Sequence, residues 1–281
     1  MTPATGYALR EQNRYILDDP AINAVEITFE RADDPLRVDR YIGDDIDFDH
    51  ISVHALKLSP GSPDAPGEQY LSALKAIAEE NGAQSISDHL GFTRDGDGGV
   101  EMGHFAPVPM TEEALDNCSR NLEVIMNYFD PLEFYLENIA YLFRLQGTID
   151  EADFLSRLLE RTGTGWLLDV TNVYVNALNF DFDMYAFVDQ VMESAASAQI
   201  HLAGGMYDEK LKMHMDTHSH PIPDEVFDLY RFSLEKGHGK IGAVFVERDQ
   251  NFPGEDGWRG EIGRVRQIAE EVEAKFATTA A

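Results

Sequence analysis

Eight short apolar runs, most of them separated by stretches of helical periodicity, decide what this chain can fold into. The runs are GYALR (6–10), AVEITFE (24–30), HISVHALKL (50–58), QSISDHLGF (84–92), EFYLENIA (133–140), GWLLDVTNVYV (165–175), AQIHLAGG (198–205) and AVFVERD (243–249). Helical patterns cover 66–81, 111–129, 150–162, 183–196, 223–236 and 257–277, and shorter helices are expected over 10–18 and 33–46. In the first of these, Leu71, Leu74, Ile77 and Ala78 share one face at helical spacing. Thr111 is a good N-cap with Glu112 and Glu113 in the following turn, and Gly163 is placed to end the 150–162 helix. Strands alternating with helices imply parallel pairing through right-handed crossovers. Eight such units in 281 residues predict one α/β domain over 1–281, a single (β/α)8 TIM-type barrel, with a short flexible tail from about residue 277. A doubly wound open sheet is the alternative, weakened by the lack of a glycine-rich phosphate loop after an early strand. The polar, glycine-rich stretches 94–104 and 252–260 follow strands and would border the mouth of a barrel.

The runs end in an unusual way. His54, His89, Glu137, Asp169, His201 and Glu247 each stand toward the C-terminal end of a different one. An unpaired buried charge is costly, so buried strands have little reason to end in ionisable groups unless something binds them. In a barrel these six positions would converge on one rim, where active sites are built. Imidazole and carboxylate suit iron, manganese or zinc, and Glu137 or Asp169 could bridge two ions because each carboxylate has two oxygens. The segment Asp216-Thr217-His218-Ser219-His220-Pro221 adds the densest cluster. In an extended segment Asp216, His218 and His220 would face one side. Asn172 could ligate through its side-chain oxygen. Asn138 and His220 fit a role behind the ligands. The bland reading pairs Glu137 and Glu247 with nearby bases such as Arg144 and Arg248.

Charge narrows the partners. Fifty-one acids against 22 bases give −29. Such a surface disfavours nucleic acid and anionic membranes. The acids are spread along the chain, as in a salt-adapted surface of an acidic proteome. No apolar run approaches the roughly 20 residues that span a bilayer. No signal peptide is evident at the N-terminus, so a cytoplasmic location is expected. The lone cysteine, Cys118, lies in a helical pattern and reads as a small buried apolar residue.

The segments LLDVTNVYVNA, IHLAGG, DTHSHPIPD, LENIA and the final ERD resemble the multinuclear non-haem iron-dependent oxidative enzymes, the MNIO family, which includes an enzyme of methanobactin biosynthesis. The resemblance runs from GYALR to ERDQNFP. It implies a TIM-type barrel holding two or three iron ions (Fe2+/Fe3+). It implies O2-dependent oxidation of cysteine, or another residue, in a ribosomally made precursor peptide, often delivered by a small peptide-recognition protein. Carried over residue by residue, His54, His89, Glu137, Asp169, His201 and Glu247 would form the di-iron region, and Asn172, Asp216 and His218 would serve a third metal. This chain departs from the family's usual pattern at Thr171, commonly Asn, at Gly205, commonly His, and at Asp88, commonly Glu. The first two departures fall on the outermost metal.

Two other readings compete. A divalent-metal isomerase or hydrolase of the xylose-isomerase type would use manganese, magnesium or zinc on the same rim. Lys57 is the one candidate there for a catalytic lysine. A metal-binding protein without turnover is the third.

Overall fold

The computed structural model describes residues 1–17, 19–37, 40–43, 47–96 and 99–279. Its centre is a closed parallel barrel of eight strands, each running directly beside its neighbours in the order β1-β12-β9-β8-β7-β4-β3-β2. The barrel strands are β1 (Ala4–Ala8), β2 (Ala24–Thr28), β3 (His50–His54), β4 (Ser85–His89), β7 (Glu133–Glu137), β8 (Gly165–Asp169), β9 (Ala198–Leu202) and β12 (Ile241–Val246). Two antiparallel hairpins interrupt the series, β5 (Gly91–Arg94) with β6 (Glu101–Pro107) and β10 (Met206–Asp208) with β11 (Met213–Met215). The helices are α1 (Phe29–Ala32), α2 (Glu68–Glu80), α3 (Glu112–Phe129), α4 (Glu151–Thr162), α5 (Val170–Phe180), α6 (Met184–Ser194), α7 (Asp224–Lys236) and α8 (Glu255–Thr279).

Local chemistry sets the helix ends. Thr111 Oγ1 accepts from the Ala114 amide and starts α3; Asp150 accepts from the Ala152 amide and starts α4, which stops at Gly163 with φ +74°. Leu115, Cys118, Leu122, Ile125 and Phe129 form the buried face of α3. Cys118 is wholly buried there and its thiol is pushed up to about 12, so it packs and does not react.

Three expectations change. The run 165–175 is not one strand: β8 ends at Asp169 and α5 begins at Val170. Its Val-rich sequence has strand propensity, but Asp169 caps the new helix by accepting from the Asn172 amide at 2.6 Å. The expected 10–18 helix is a 3-10 helix over Glu11–Ile16. Of the expected 33–46 helix, 33–37 and 40–43 carry no α-helix, which instead forms earlier as α1, and the other residues lie outside those described. The expected tail falls on the last turn of α8 and on 280–281, outside the described residues.

Inside the barrel, beneath its C-terminal rim, lies a hydrogen-bonded polar layer. Ser85 Oγ bonds His50 Nε2 at 2.9 Å, Ser52 Oγ at 3.1 Å and Gln199 Nε2 at 2.9 Å. Ala4, Ala24, Ala243 and Phe245 make a small apolar cluster of their own.

Just past β2, Glu30 accepts from the Tyr70 hydroxyl at 2.6 Å and from the Leu56 amide. Burial pushes its carboxyl up to about 7, against the downward pull of the Tyr70 bond. The folded value lies above the ordinary one, so this carboxyl stabilises the fold fully below about pH 4.5 and loses that contribution as pH rises through about 7. Metal-free Glu30→Gln is therefore expected to match the wild type in urea unfolding near pH 4.5. At pH 8 it should exceed it by about 3 kcal/mol. Equal stabilities at pH 8 would refute this.

Candidate metal centre

The barrel register delivers the sequence ladder to one level. His54, His89, Glu137 and Asp169 are the last residues of β3, β4, β7 and β8, and the ladder pairs His89 with Glu137 and Asp169 with His201. Glu247 follows β12 directly. Glu137, Asp169, His201 and Glu247 are buried, as is His54, while His89 is slightly open.

Two groups of possible ligands result, His54 with His89 and Glu137, and Glu137 with Asp169, His201 and Glu247; within each group one ligand atom per residue lies within 4.8 Å of the others. Glu137 belongs to both. Its Oε2 lies 3.5 Å from His54 Nε2 and 3.5 Å from His89 Nε2, and its Oε1 lies 3.7 Å from His201 Nδ1. His201 Nδ1 is also 3.0 Å from Glu247 Oε2. Ligand atoms held about 2.1 Å from an ion lie roughly 3.0–3.4 Å from each other, so this spacing suits bound cations. Glu137 Oε2, Asp169 Oδ2, His201 Nδ1, Asn172 Oδ1 and Asp216 Oδ1 are buried without a hydrogen bond among the described residues. Buried atoms of ligand type that find no protein partner, gathered in one place, could hold metal ions. The donor set fits first-row ions.

Each imidazole is oriented from behind. His54 Nδ1 bonds Ser87 Oγ at 2.9 Å, and His89 Nδ1 bonds Asp88 Oδ1 at 3.2 Å. His201 Nε2 bonds Glu26 Oε2 at 3.1 Å. Asn138 Oδ1 accepts from the Trp166 indole and the Asp169 amide, both at 3.1 Å, and its amide donates to Asp169 O. These bonds hold Asp169 from behind. Asn172 donates to Asn138 O at 3.1 Å and keeps its Oδ1 clear of protein partners among the described residues. Phe105 on the β5–β6 hairpin stacks on His89 at 3.9 Å and roofs that side.

The 216–221 segment departs from expectation. Asp216 and His218 reach the rim, where Asp216 Oδ2 meets His218 Nε2 at 2.8 Å and His218 Nδ1 lies 3.9 Å from Glu247. His220 does not share their side: it is exposed and bonded to Ser219 Oγ. The segment is not extended, because His218 adopts φ +47° and breaks the alternation. Two of the three family departures also have structural counterparts. Thr171 exchanges hydrogen bonds of 2.8 and 2.9 Å with the Ala203 backbone. A Cβ on Gly205 would sit 2.2 Å from Met215 O, so β11 occupies the space a side chain there would need.

The nearby bases do not neutralise the acids. Arg144 pairs with Glu151 and lies over Phe180, and Arg248 pairs with Glu261. The charges instead oppose one another in one small volume. Burial alone would lower His89, but Glu137 and Asp88 hold it up at about 9. Burial likewise opposes the charged form of His201, yet Glu247, Glu26 and Glu137 keep it well above its ordinary value. His54 is driven well below the usual imidazole range by burial and by its neighbours His89 and His201. Asp169 is pushed well up by burial and by Asp216 and Glu137. Glu247 is held well down, because His201 and His218 outweigh its burial.

Sequence reasoning missed three residues here. Glu26 is fully buried in mid-strand; the inward alternation Ala24, Glu26, Thr28 was the available signal. Asp249 joins His218 Nδ1 at 3.3 Å to Arg10 Nε at 2.8 Å. Arg10 is 4% exposed and also bonds Leu9 O and Thr28 Oγ1.

Among the described residues no helix is long and apolar enough to cross a membrane. By fold, the chain resembles an L-ribulose 3-epimerase (TM-score 0.57, 10% identity, 99% of this chain and 98% of that one). It also resembles a xylose isomerase-like TIM barrel protein from Mycobacterium smegmatis in complex with magnesium (TM-score 0.52, 14% identity, 96% and 95%). By sequence it is 34% identical over 225 residues to a UPF0276 protein of Caulobacter vibrioides, covering 77% of this chain and 75% of that protein. It is 33% identical over 226 residues to a UPF0276 protein of Streptomyces avermitilis, covering 78% of this chain but only 45% of that longer protein. The sequence model of the RiPP precursor modification enzymes MbnB/TglH/ChrH matches residues 5–270. With nearly the whole barrel inside that match, the chain belongs to the MbnB/TglH/ChrH family of RiPP precursor modification enzymes.

Proposed function

We propose that this protein is a multinuclear iron-dependent oxidative enzyme that uses O2 to modify a residue, cysteine for preference, of a ribosomally made peptide. The carrying observation is the single carboxylate of Glu137, whose two oxygens face two separate ligand sets. Family membership supports iron and a peptide substrate.

In this reading His54 and His89 hold one ion, and Asp169, His201 and Glu247 hold the other, with Glu137 shared. Asn172, Asp216 and His218 would serve a third. Bound iron would supply one-electron chemistry toward O2 and a thiol. The chain's own residues orient and enclose. Asn138 fixes Asp169, Phe105 covers His89, and Arg10 places a buried cation beside the carboxylates of the mouth. A small peptide-recognition protein is the expected partner. The isomerase alternative, with manganese or zinc, finds little support in Lys57, which pairs with Glu101 on the β5–β6 hairpin at 2.8 Å, well out in solvent.

The test is purification without oxygen, elemental analysis, and oxygen uptake with a cysteine-containing peptide encoded beside the gene. Two or more equivalents of iron and peptide-dependent uptake are expected. A metal-free protein, or one that holds zinc alone and consumes no oxygen, overturns the proposal.

A further inference from the structure

The three imidazoles of the centre are not backed alike. A neutral hydroxyl stands behind His54 and the adjacent Asp88 behind His89, whereas His201 has a carboxylate from a strand across the barrel. That carboxylate, Glu26, has no exposure at all, and neither has His201. A carboxyl buried in mid-strand needs a reason to persist, since its burial disfavours the charge. Glu26 Oε2 faces the Nε2 edge of His201, while the opposite ring nitrogen, Nδ1, faces Glu247 and Glu137.

We infer that Glu26 is a positioning residue for the metal centre: it accepts a hydrogen bond from the Nε2–H of His201 and fixes the ring so that Nδ1 is the ligand atom. The inference rests on the metal-centre reading and assigns a role to a residue outside the ligand groups. One imidazole can give only one nitrogen to an ion inside the cluster, and the hydrogen bond on the other nitrogen decides which. Here the geometry makes Nδ1 the inward atom. Nothing else among the described residues bonds His201 Nε2. Because the Glu26 side chain bonds His201 and no other residue among those described, its influence falls on the position built by Glu137, Asp169, His201 and Glu247. The position built by His54 and His89 has its own supports.

The test uses the full chain, stripped of metal and titrated with Co2+ as the probe. The wild type is expected to bind at least two equivalents. Glu26→Gln should weaken one of them about 10–100-fold, the usual effect of removing a group behind a ligating histidine. The visible Co2+ spectrum of that ion should shift while the other stays as in the wild type. Glu26→Asp should restore part of the affinity. Thermal unfolding of the metal-free variants separates this from damage to the fold, and nitrogen NMR of the His201 ring in the wild type loaded with diamagnetic Zn2+ should find the proton on Nε2. Wild-type affinity and spectra in Glu26→Gln, or a proton on Nδ1 of the metal-loaded ring, overturn the inference alone. A wild type that binds no Co2+ overturns it together with the metal-centre reading.

Discussion

Glu137→Gln is expected to remove both metal positions together, whereas His54→Ala and His201→Ala should each remove one. The side chain keeps its shape in this substitution and loses its charge and one ligand oxygen. Since one oxygen faces His54 and His89 and the other faces His201, neither ligand group survives intact. The affinity lost at each position should exceed the roughly 100-fold that a merely supporting residue is worth. Equilibrium dialysis against Co2+ measures it directly. Thermal unfolding gives a second reading, because an ion at about 100 times its dissociation constant stabilises the fold by about 2.7 kcal/mol per site, and that increment should vanish. A Glu137→Gln protein that still binds one ion with wild-type affinity would refute the shared carboxylate.

Gly204→Ala should be the most damaging single methyl group near the site. A Cβ there would lie 1.9 Å from His220 O and 2.5 Å from Pro221 O, both backbone atoms that cannot step aside. Gly204 O also accepts the amides of Ser219 and His220 at 2.9 and 3.1 Å. The methyl group must therefore push the 216–221 segment outward and break that pair. Overpacking of about 1–3 kcal/mol and two lost hydrogen bonds at about 1 kcal/mol each predict a loss of roughly 3–5 kcal/mol. For a chain of this size the melting temperature should fall by roughly 5–10 °C. The displaced Asp216 and His218 make a second readout: any third metal equivalent should be lost while the two around Glu137 remain. An unchanged melting temperature would show that the segment can move freely.

Much of this is legible in the sequence. The eight strands and the convergence of His54, His89, Glu137, Asp169, His201 and Glu247 follow from the alternation of strand and helix, because parallel topology sends all C-terminal ends to one face. What escapes depends on information that local pattern does not carry. The Val170–Val175 run has strand propensity, yet it forms a helix that Asp169 caps and whose Val170, Val173 and Val175 are buried. The 101–107 strand hides in a stretch rich in glycine, because its partner lies across a hairpin. The outward turn of His220 comes from one left-handed residue, His218. Glu26 is easily passed over because it sits in mid-strand, and its partner His201 lies 175 residues away.

The polar layer under the rim has a consequence for how such a protein can drift in sequence. In a barrel filled by interlocking aliphatic side chains, the spacing of the strands depends on side-chain volume, and each core replacement shifts its neighbours. Here Ser85 ties β4 to β3 through Ser52 and His50, and to β9 through Gln199. Bond lengths, which scarcely vary, set those separations. The greasy shell between barrel and helices is thus free to exchange one hydrophobic residue for another over many generations without detuning the centre above, while the handful of small polar residues in the floor is not.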